Sequence, residues 1–213
     1  MEPVKRGYRS ELRAGHAAAT RRSIVRAAAR MFVEVGYGAT TIDAVADAAG
    51  VSRKTVFTAV GGKLELLKTA LDWAVAGDDV PVALANRPAM RELLNGDDPV
   101  ELLAGWVRTL VEIDVRLAGL FQALEIAADG DADGGGKLLQ TYHRQRRAGA
   151  RQVIDRLGEL GVLSAGLSRT KAVDVAWLAA DPLLFDRMVR TSGWSVKAFE
   201  AWLRGWLTSQ LLQ

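Results

Sequence analysis

Residues 41–60 read TIDAVADAAGVSRKTVFTAV, and this stretch decides the fold. Apolar residues recur at helical spacing on both sides of Gly50, which indicates two short helices joined by a tight turn. Thr40 is a good N-cap for the first helix, and Ser52 can cap the second. The pattern therefore predicts a helical hairpin centred on Gly50.

Three residues give this hairpin the spacing of a helix-turn-helix. Two helices that cross closely need a small side chain at the crossing, which Ala46 supplies. The turn needs a positive φ, which Gly50 adopts at no steric cost. Val56 supplies the branched apolar side chain that locks the second helix back against the first. DNA-binding helix-turn-helix motifs have this spacing, although an ordinary αα-hairpin remains the alternative.

The outward face of the second helix carries groups that suit DNA. Arginine and lysine donate to guanine O6 and N7, and threonine serves either bases or phosphates. The residues on this face are Arg53, Lys54, Thr55, Phe57 and Thr58.

The charge of the chain is uneven. Residues 1–66 hold 11 lysines and arginines against 6 acids, whereas the remainder holds 17 against 19. A basic first part on an acidic body favours a polyanion as the partner of the first part. A solvated basic tail is the other interpretation of the same charges.

Helical patterns continue along the rest of the chain. A first helix is expected from Thr20 to about Val35, a fourth from about Lys63 to Ala76, and a long one from Pro99 to about Ala128 with a break near Gly119. The sequence has no alternating strand pattern. We therefore expect an all-α fold of about nine helices, with a flexible basic arm (1–18), a three-helix DNA-binding domain (19–66) and a helical body (67–213).

Composition argues against an enzyme or a metalloprotein. The chain has no cysteine and only two histidines, so thiolate chemistry is excluded and little remains for a metal cage or a catalytic triad. Asp129–Gly134 mimics the start of a calcium loop, but Gln140 stands where the bidentate acid belongs. We therefore expect no metal, no cofactor and no catalytic residues. Without a secretory signal or a long apolar run, a cytoplasmic location and no contact with a membrane are expected.

The stretch Thr20–Leu67 resembles the DNA-binding domain of the TetR (tetracycline-repressor-like) transcriptional regulators. The matching features are Val35-Gly36-Tyr37 after helix one, Thr40-Thr41, the turn from Ala46 to Ser52, the stretch from Thr55 to Val60, and Lys63. The tail from Asp181 to Leu207 is similar to the last two helices of one branch of that family.

The resemblance implies roles for individual residues. Thr41 and Lys63 match positions that contact phosphate, and Arg21 and Arg22 would lie near phosphate at the start of helix one. Arg53, Lys54 and Thr58 match positions that face bases. Two residues depart from the family: Phe57 replaces the usual tyrosine and Ala59 the usual histidine, so each loses a polar group.

The resemblance also implies a regulatory body. Bodies of this family enclose an apolar pocket for a small molecule, and the residues expected to line it here are Trp106, Leu110, Phe121, Glu125, Tyr142 and Trp177. Core packing is the other interpretation of each. The last helix is apolar over much of its surface, which favours a dimer interface that includes Trp177, Phe185, Trp202 and Trp206, with burial in a monomer core as the alternative.

The leading hypothesis is a homodimeric repressor that binds double-stranded DNA at a palindromic operator and is released by a largely apolar small molecule. The alternative is an all-helical carrier of small ligands that does not act on DNA. A shift of a duplex from its own promoter region separates the two.

Overall fold

The computed structural model describes residues 4–80, 84–130 and 134–213, without the side chains of residues 4–12 and 85. Within these ranges the chain folds into α-helices with no strand, which confirms the all-α prediction. The helices are α1 (Val4–Glu34), α2 (Gly36–Ala39), α3 (Ile42–Ala49), α4 (Arg53–Ala59), α5 (Lys63–Ala76), α6 (Pro88–Asn95), α7 (Pro99–Asp129), α8 (Gly135–Glu159), α9 (Arg169–Ala179), α10 (Pro182–Phe185) and α11 (Val196–Leu211). A 3₁₀ turn (Leu84–Asn86) precedes α6, and a π-helical segment (Asp186–Thr191) follows α10.

The described ranges hold two helices more than the expected number of about nine. α2 has four residues, which is too short for a period to be visible in the sequence. α6 begins with a proline at its first position and lies in what was expected to be a connection. At the N-terminus, residues 4–18 form the first part of α1, and the flexibility expected of a basic arm there stays a prediction; residues 1–3 lie outside the description.

The long helix α7 contributes residues to both hydrophobic cores of the molecule. Its 31 residues run unbroken through Gly119, so the expected break there is wrong. A Cβ at Gly119 would lie 2.7 Å from Arg190 Nη1 and 3.0 Å from Val33 Cγ1. The glycine therefore lets α1 and the π-helical segment approach α7 closely.

Two hydrophobic cores lie along α7. The first packs α1, α3, α4 and α5 against the second half of α7, from Ile113 to Ala127. The second packs the first half of α7 against α8, α9, α10 and α11. Because Leu67 and Leu124 belong to one core, the DNA-binding part and the body are joined by continuous packing, and the boundary expected near residue 66 stays a prediction.

None of the helices in the described ranges combines the length and the hydrophobicity that a membrane crossing requires.

Candidate DNA-binding surface and effector cavity

The turn between α3 and α4 has the expected geometry. Gly50 adopts φ 67° and ψ 34°, in the left-handed region that favours glycine. Val51 donates its N–H to the Ala46 carbonyl at 3.0 Å, which satisfies a free acceptor at the end of α3. Ala46 and Val56 are buried where the two helices cross. The three residues singled out by their spacing thus form the hairpin.

The N-cap of α3 is Thr41 rather than Thr40. The Thr41 Oγ1 accepts from the Ala44 N–H at 3.1 Å, so the expected cap is wrong by one residue. Thr40 is buried, and its hydroxyl donates to the Gly36 carbonyl at 2.8 Å. The Thr41 oxygen accepts this bond, and its hydroxyl proton is a donor on the exposed surface. An exposed donor at a helix N-terminus suits a phosphate.

The exposed face of α4 carries the side chains that were expected to read bases. Arg53, Lys54, Phe57 and Thr58 are exposed, whereas Val56 faces the core. Arg53 Nη1 donates to Asp43 Oδ2 at 2.5 Å, and its guanidinium lies 5.5 Å from the centre of the Phe57 ring. Both contacts keep the Arg53 side chain on the solvent-facing side of the helix-turn-helix.

The two threonines of α4 make local hydrogen bonds. Thr55 is half-buried, its backbone N–H donates to Ser52 Oγ at 3.1 Å, and the two hydroxyls lie 2.8 Å apart. Thr58 donates its hydroxyl to the Lys54 carbonyl at 2.9 Å. Thr55 therefore belongs to the cap of α4, and Thr58 reaches solvent with its methyl group and an acceptor oxygen.

Lys63 begins α5 beside this surface. Its ammonium donates to the Gly38 carbonyl at 3.1 Å and lies 4.4 Å from the centre of the Tyr37 ring. These contacts hold the ammonium beside the DNA-binding surface.

Arg21 and Arg22 have partners within the chain, and the phosphate contacts expected of them stay a prediction. Arg21 Nη1 donates to the Ala59 carbonyl at the end of α4, at 2.8 Å. Arg22 Nη1 forms an ion pair with Asp79 Oδ2 at 3.0 Å. Arg21 therefore holds the recognition helix, and Arg22 holds the segment that follows α5. Sequence patterns carry no signal for either contact, because each joins residues far apart in the chain.

A cavity of about 830 Å³ lies between α5, α7 and α8. Its volume is within the range of pockets that bind small molecules. Trp106, Leu110 and Tyr142 line it, as expected. Arg21 also contributes to its wall.

The other three expected pocket residues lie outside this cavity. Phe121 is fully buried, with the Arg146 guanidinium 5.2 Å from its ring centre. Trp177 packs against His143 with 6.0 Å between ring centres. Glu125 is half-buried one turn beyond Phe121, and burial raises the pKa of its carboxyl. The core-packing interpretation is thus the better one for Phe121, whereas Trp177 is half-exposed and stays among the residues expected at the dimer interface.

Comparison with known proteins identifies the first part of the chain. Residues 24–70 match the family model of bacterial regulatory proteins of the tetR family. The N-terminal domain is a TetR-family DNA-binding domain. With this domain the chain is a DNA-binding transcriptional regulator. No curated protein sequence matches the chain.

Solved structures of other regulators have the same fold. The complex of SmeT with triclosan superposes with a TM-score of 0.69 at 22% identity, covering 92% of both chains. SmeT is described as the repressor of a multidrug efflux pump of Stenotrophomonas maltophilia. NalD of Pseudomonas aeruginosa superposes with a TM-score of 0.67 at 17% identity, covering 93% of this chain and 98% of its own. NalD is described as the secondary repressor of the MexAB-OprM multidrug efflux pump. MbdR from Azoarcus sp. CIB superposes with a TM-score of 0.67 at 20% identity, covering 91% of this chain and 100% of its own.

Two polar residues in the wall of the cavity were missed by the sequence analysis. Asp114 is 2% exposed and Arg146 has a side chain that is 12% exposed. Burial raises the pKa of the Asp114 carboxyl well above its usual value, against the opposing charge of Arg146. Burial also lowers the pKa of Arg146. A spacing signal existed, because Asp114 follows Leu110 by four residues and precedes Leu117 by three, so all three share one face of α7.

The cavity wall is joined to the DNA-binding domain through α5. Tyr142 donates its hydroxyl to Asp72 Oδ1 at 2.6 Å, and Arg116 Nε donates to the Ala74 carbonyl at 2.8 Å. Burial and the neighbouring Asp72 carboxylate raise the pKa of Tyr142, which keeps the phenol protonated as the donor. Helices α7 and α8 thereby each hold α5, the helix that begins beside the DNA-binding surface.

The expected dimer residues divide into two groups. Trp202 and Trp206 are half-exposed on α11, and their rings stack with 6.1 Å between centres. Trp177 on α9 is also half-exposed. Phe185 is 3% exposed and packs edge-on against Phe199. Phe185 therefore belongs to the monomer core and is removed from the expected interface.

Proposed function

We propose that this regulator is a homodimeric repressor that binds a palindromic operator and releases it when a small molecule occupies the cavity. The observation that carries the proposal is the exposed row Arg53, Lys54 and Phe57 on a short helix hinged at Gly50. A helix of this kind enters the major groove with its first residues toward the bases.

The operator in this proposal has two half-sites. Two copies of the chain related by a two-fold axis present their α4 helices to successive major grooves, so the half-site centres lie about 34–36 Å apart or a multiple of this. The half-exposed tryptophans of α9 and α11 support a dimer interface on that side of the body.

Release would act through α5 and Arg21. The wall of the cavity includes Arg21, Asp72 and Asp79, and each of them has a partner in the DNA-binding part or the segment next to it. A ligand that displaces these side chains changes the orientation of α4 and α5. The free energy by which the ligand weakens DNA binding cannot exceed the difference in its binding free energy between the two arrangements.

We infer that the protein regulates transcription and does not act as an enzyme. A regulator of chromosomal DNA works in the cytoplasm. The alternative of a carrier that ignores DNA is disfavoured by the family match of residues 24–70. Phe57 and Ala59 lack the polar groups usual in the family, which shifts the phosphate contacts toward Lys54 and Lys63.

A gel shift with the duplex upstream of the chain's own gene tests the proposal. We expect a complex with two chains per duplex whose affinity falls steeply as salt is added, because counterions are released from phosphates. A double variant, Arg53→Ala with Lys54→Ala, should abolish the shift, whereas Arg151→Ala with Lys197→Ala on the body should not. Binding that is unaffected by the first pair would contradict the proposal.

A further inference from the structure

The cavity wall is apolar for the most part. Met90, Leu94, Trp106, Leu110, Ile113 and Leu117 contribute to it from α6 and α7. A ligand for such a wall has an apolar body, since burial of apolar surface is the main gain on binding. The polar groups on the wall then decide which apolar molecules are preferred.

Most charged side chains on or beside the wall already have partners. Lys68 pairs with Asp72 at 2.6 Å, and Arg22 with Asp79 at 3.0 Å. Arg87 binds Asp78 through two hydrogen bonds of 2.8 Å. These charges are satisfied without a ligand, and the acids among them are exposed to solvent.

Asp114 and Arg146 are different. Asp114 Oδ2, Arg146 Nε and Arg146 Nη1 are buried and have no hydrogen-bond partner among the described residues. They are the only lining side chains in the described ranges with such atoms. A buried polar atom without a partner costs free energy that a bound group can recover.

The guanidinium is held in place by groups other than a ligand. Arg146 Nη2 lies 3.3 Å from Asp181 Oδ1, and the Arg146 guanidinium carbon is 5.2 Å from the centre of the Phe121 ring. Asp181 itself caps α10 by accepting from the Leu183 N–H at 3.2 Å. The unpaired Nε and Nη1 protons therefore belong to a fixed donor in the cavity wall.

The charges around this pair disfavour an ionic ligand group. An ammonium that approaches Asp114 also approaches the Arg146 cation. A carboxylate that approaches Arg146 also faces Asp114 and Asp181. A hydroxyl meets both requirements, because it accepts from Arg146 and donates to the Asp114 carboxylate. When Asp114 is protonated, an ether oxygen can accept from both residues, so the preference for a hydroxyl over an ether is expected where Asp114 is ionised.

We propose that the cavity selects apolar molecules with one neutral hydroxyl, which binds between Asp114 and Arg146. This inference rests on the proposed function, in which the cavity is the effector site, and it assigns the chemical class of the effector. The hydroxyl is held at the deep polar pair, and the apolar body lies against the wall formed by α6 and α7.

Four biphenyls that differ in one group test the proposal by calorimetry on the protein without DNA. They are 4-hydroxybiphenyl, 4-methoxybiphenyl, 4-(aminomethyl)biphenyl and biphenyl-4-carboxylate. The methoxy compound keeps the acceptor oxygen and loses the donated proton. We expect 4-hydroxybiphenyl to bind at least about tenfold tighter than each of the others, because only it satisfies both residues.

Two variants show whether the preference arises at this pair. In Asp114→Leu the ratio of hydroxyl to methoxy affinity should fall to within about threefold, while both compounds still bind through their apolar bodies. Leucine fills the site with an apolar side chain, so folding is preserved, and circular dichroism checks this. Glu112→Leu, an exposed acid on the same helix, is the matched control and should keep the preference.

The outcomes separate this inference from the proposed function. Tighter binding of the ammonium or carboxylate compound, an unchanged ratio in Asp114→Leu, or no binding of any of the four would overturn the inference and leave DNA binding untouched. If 4-hydroxybiphenyl binds with the expected preference and does not release the promoter duplex, the assignment of the site stands and release by ligand is wrong.

Discussion

Arg21 Nη1 donates to the carbonyl of Ala59 at 2.8 Å, so a side chain of α1 holds the C-terminal end of the recognition helix. The same arginine lines the cavity of the body. One residue thus contacts both the helix that faces DNA and the site assigned to the effector. A cation at the end of a helix is also favoured by the helix dipole.

Arg21→Met should weaken DNA binding without changing its dependence on salt. The variant loses the hydrogen bond from Arg21 to the Ala59 carbonyl of α4 but no phosphate contact. The slope of log affinity against log salt concentration should therefore equal that of the parent. A phosphate contact, as expected from the sequence, would lower the slope by about one. Fluorescence anisotropy of the labelled promoter duplex at several salt concentrations measures it, and Arg30→Met on the exposed face of α1 is the control for loss of charge.

Arg53 and Lys63 should differ in what they contribute to DNA binding. Arg53→Ala should cost about 1–3 kcal/mol on the operator and relax discrimination among operator variants, because we assign its guanidinium to base contacts. Lys63→Ala should weaken operator and random duplexes by similar factors, because we assign its ammonium to the phosphate backbone. Competition gel shifts with a set of single-base operator variants compare the two. Equal loss of discrimination in both variants would contradict the assignment.

Asp114 should make stability depend on pH. Its pKa is raised in the folded protein, so the folded state binds this proton more tightly than the unfolded chain does. Its contribution to the free energy of unfolding is complete below the ordinary pKa of 3.8 and is lost as pH rises toward the folded value. Asp114→Leu removes this loss, so the free energy of unfolding of the variant relative to the parent should increase as pH rises above the ordinary pKa of 3.8. Urea unfolding measures it, and an advantage that shrinks with rising pH would contradict the burial of the charge.

The tryptophans of α11 should affect assembly more than folding. Trp206→Ala should shift the chain from dimer to monomer in light scattering at micromolar concentration, since its half-exposed ring lies at the edge of the second core and leaves one side open to a partner. Phe185→Ala should instead cost about 3–5 kcal/mol of stability, as expected for a ring deleted from a core, and leave the interface surface intact. A Trp206→Ala protein that remains fully dimeric would place the interface elsewhere.

The sequence predicted the elements whose causes are local. Ala46, Gly50 and Val56 were identified correctly because a small residue, a positive φ and a branched side chain are requirements of three positions within one hairpin. Ser52 and Ser195 were found as caps for the same reason: each accepts from a backbone N–H three residues on. The choice between Thr40 and Thr41 was wrong, because both can cap and only the packing of Thr40 against Gly36 decides between them.

Features that depend on distant parts of the chain were not predictable. The hydrogen bond from Arg21 to Ala59 and the approach of Arg146 to Asp114 each join residues on different helices, far apart in the chain, although the place of Asp114 on the lining face of α7 had a spacing signal. Phe185 looked like an interface residue because an apolar side chain near a helix end suits either a core or a dimer. Its edge-on contact with Phe199 shows that Phe185 belongs to the core.

Methylation interference on the promoter duplex tests the central claim most directly. Dimethyl sulfate methylates guanine at N7 in the major groove and adenine at N3 in the minor groove. We predict that methylated guanines in each half-site block binding of the parent, and that one of these positions no longer matters for Arg53→Ala, because its guanidinium reads that base. Interference confined to adenines, or a guanine pattern that is identical in Arg53→Ala, would contradict a recognition helix that enters the major groove through Arg53.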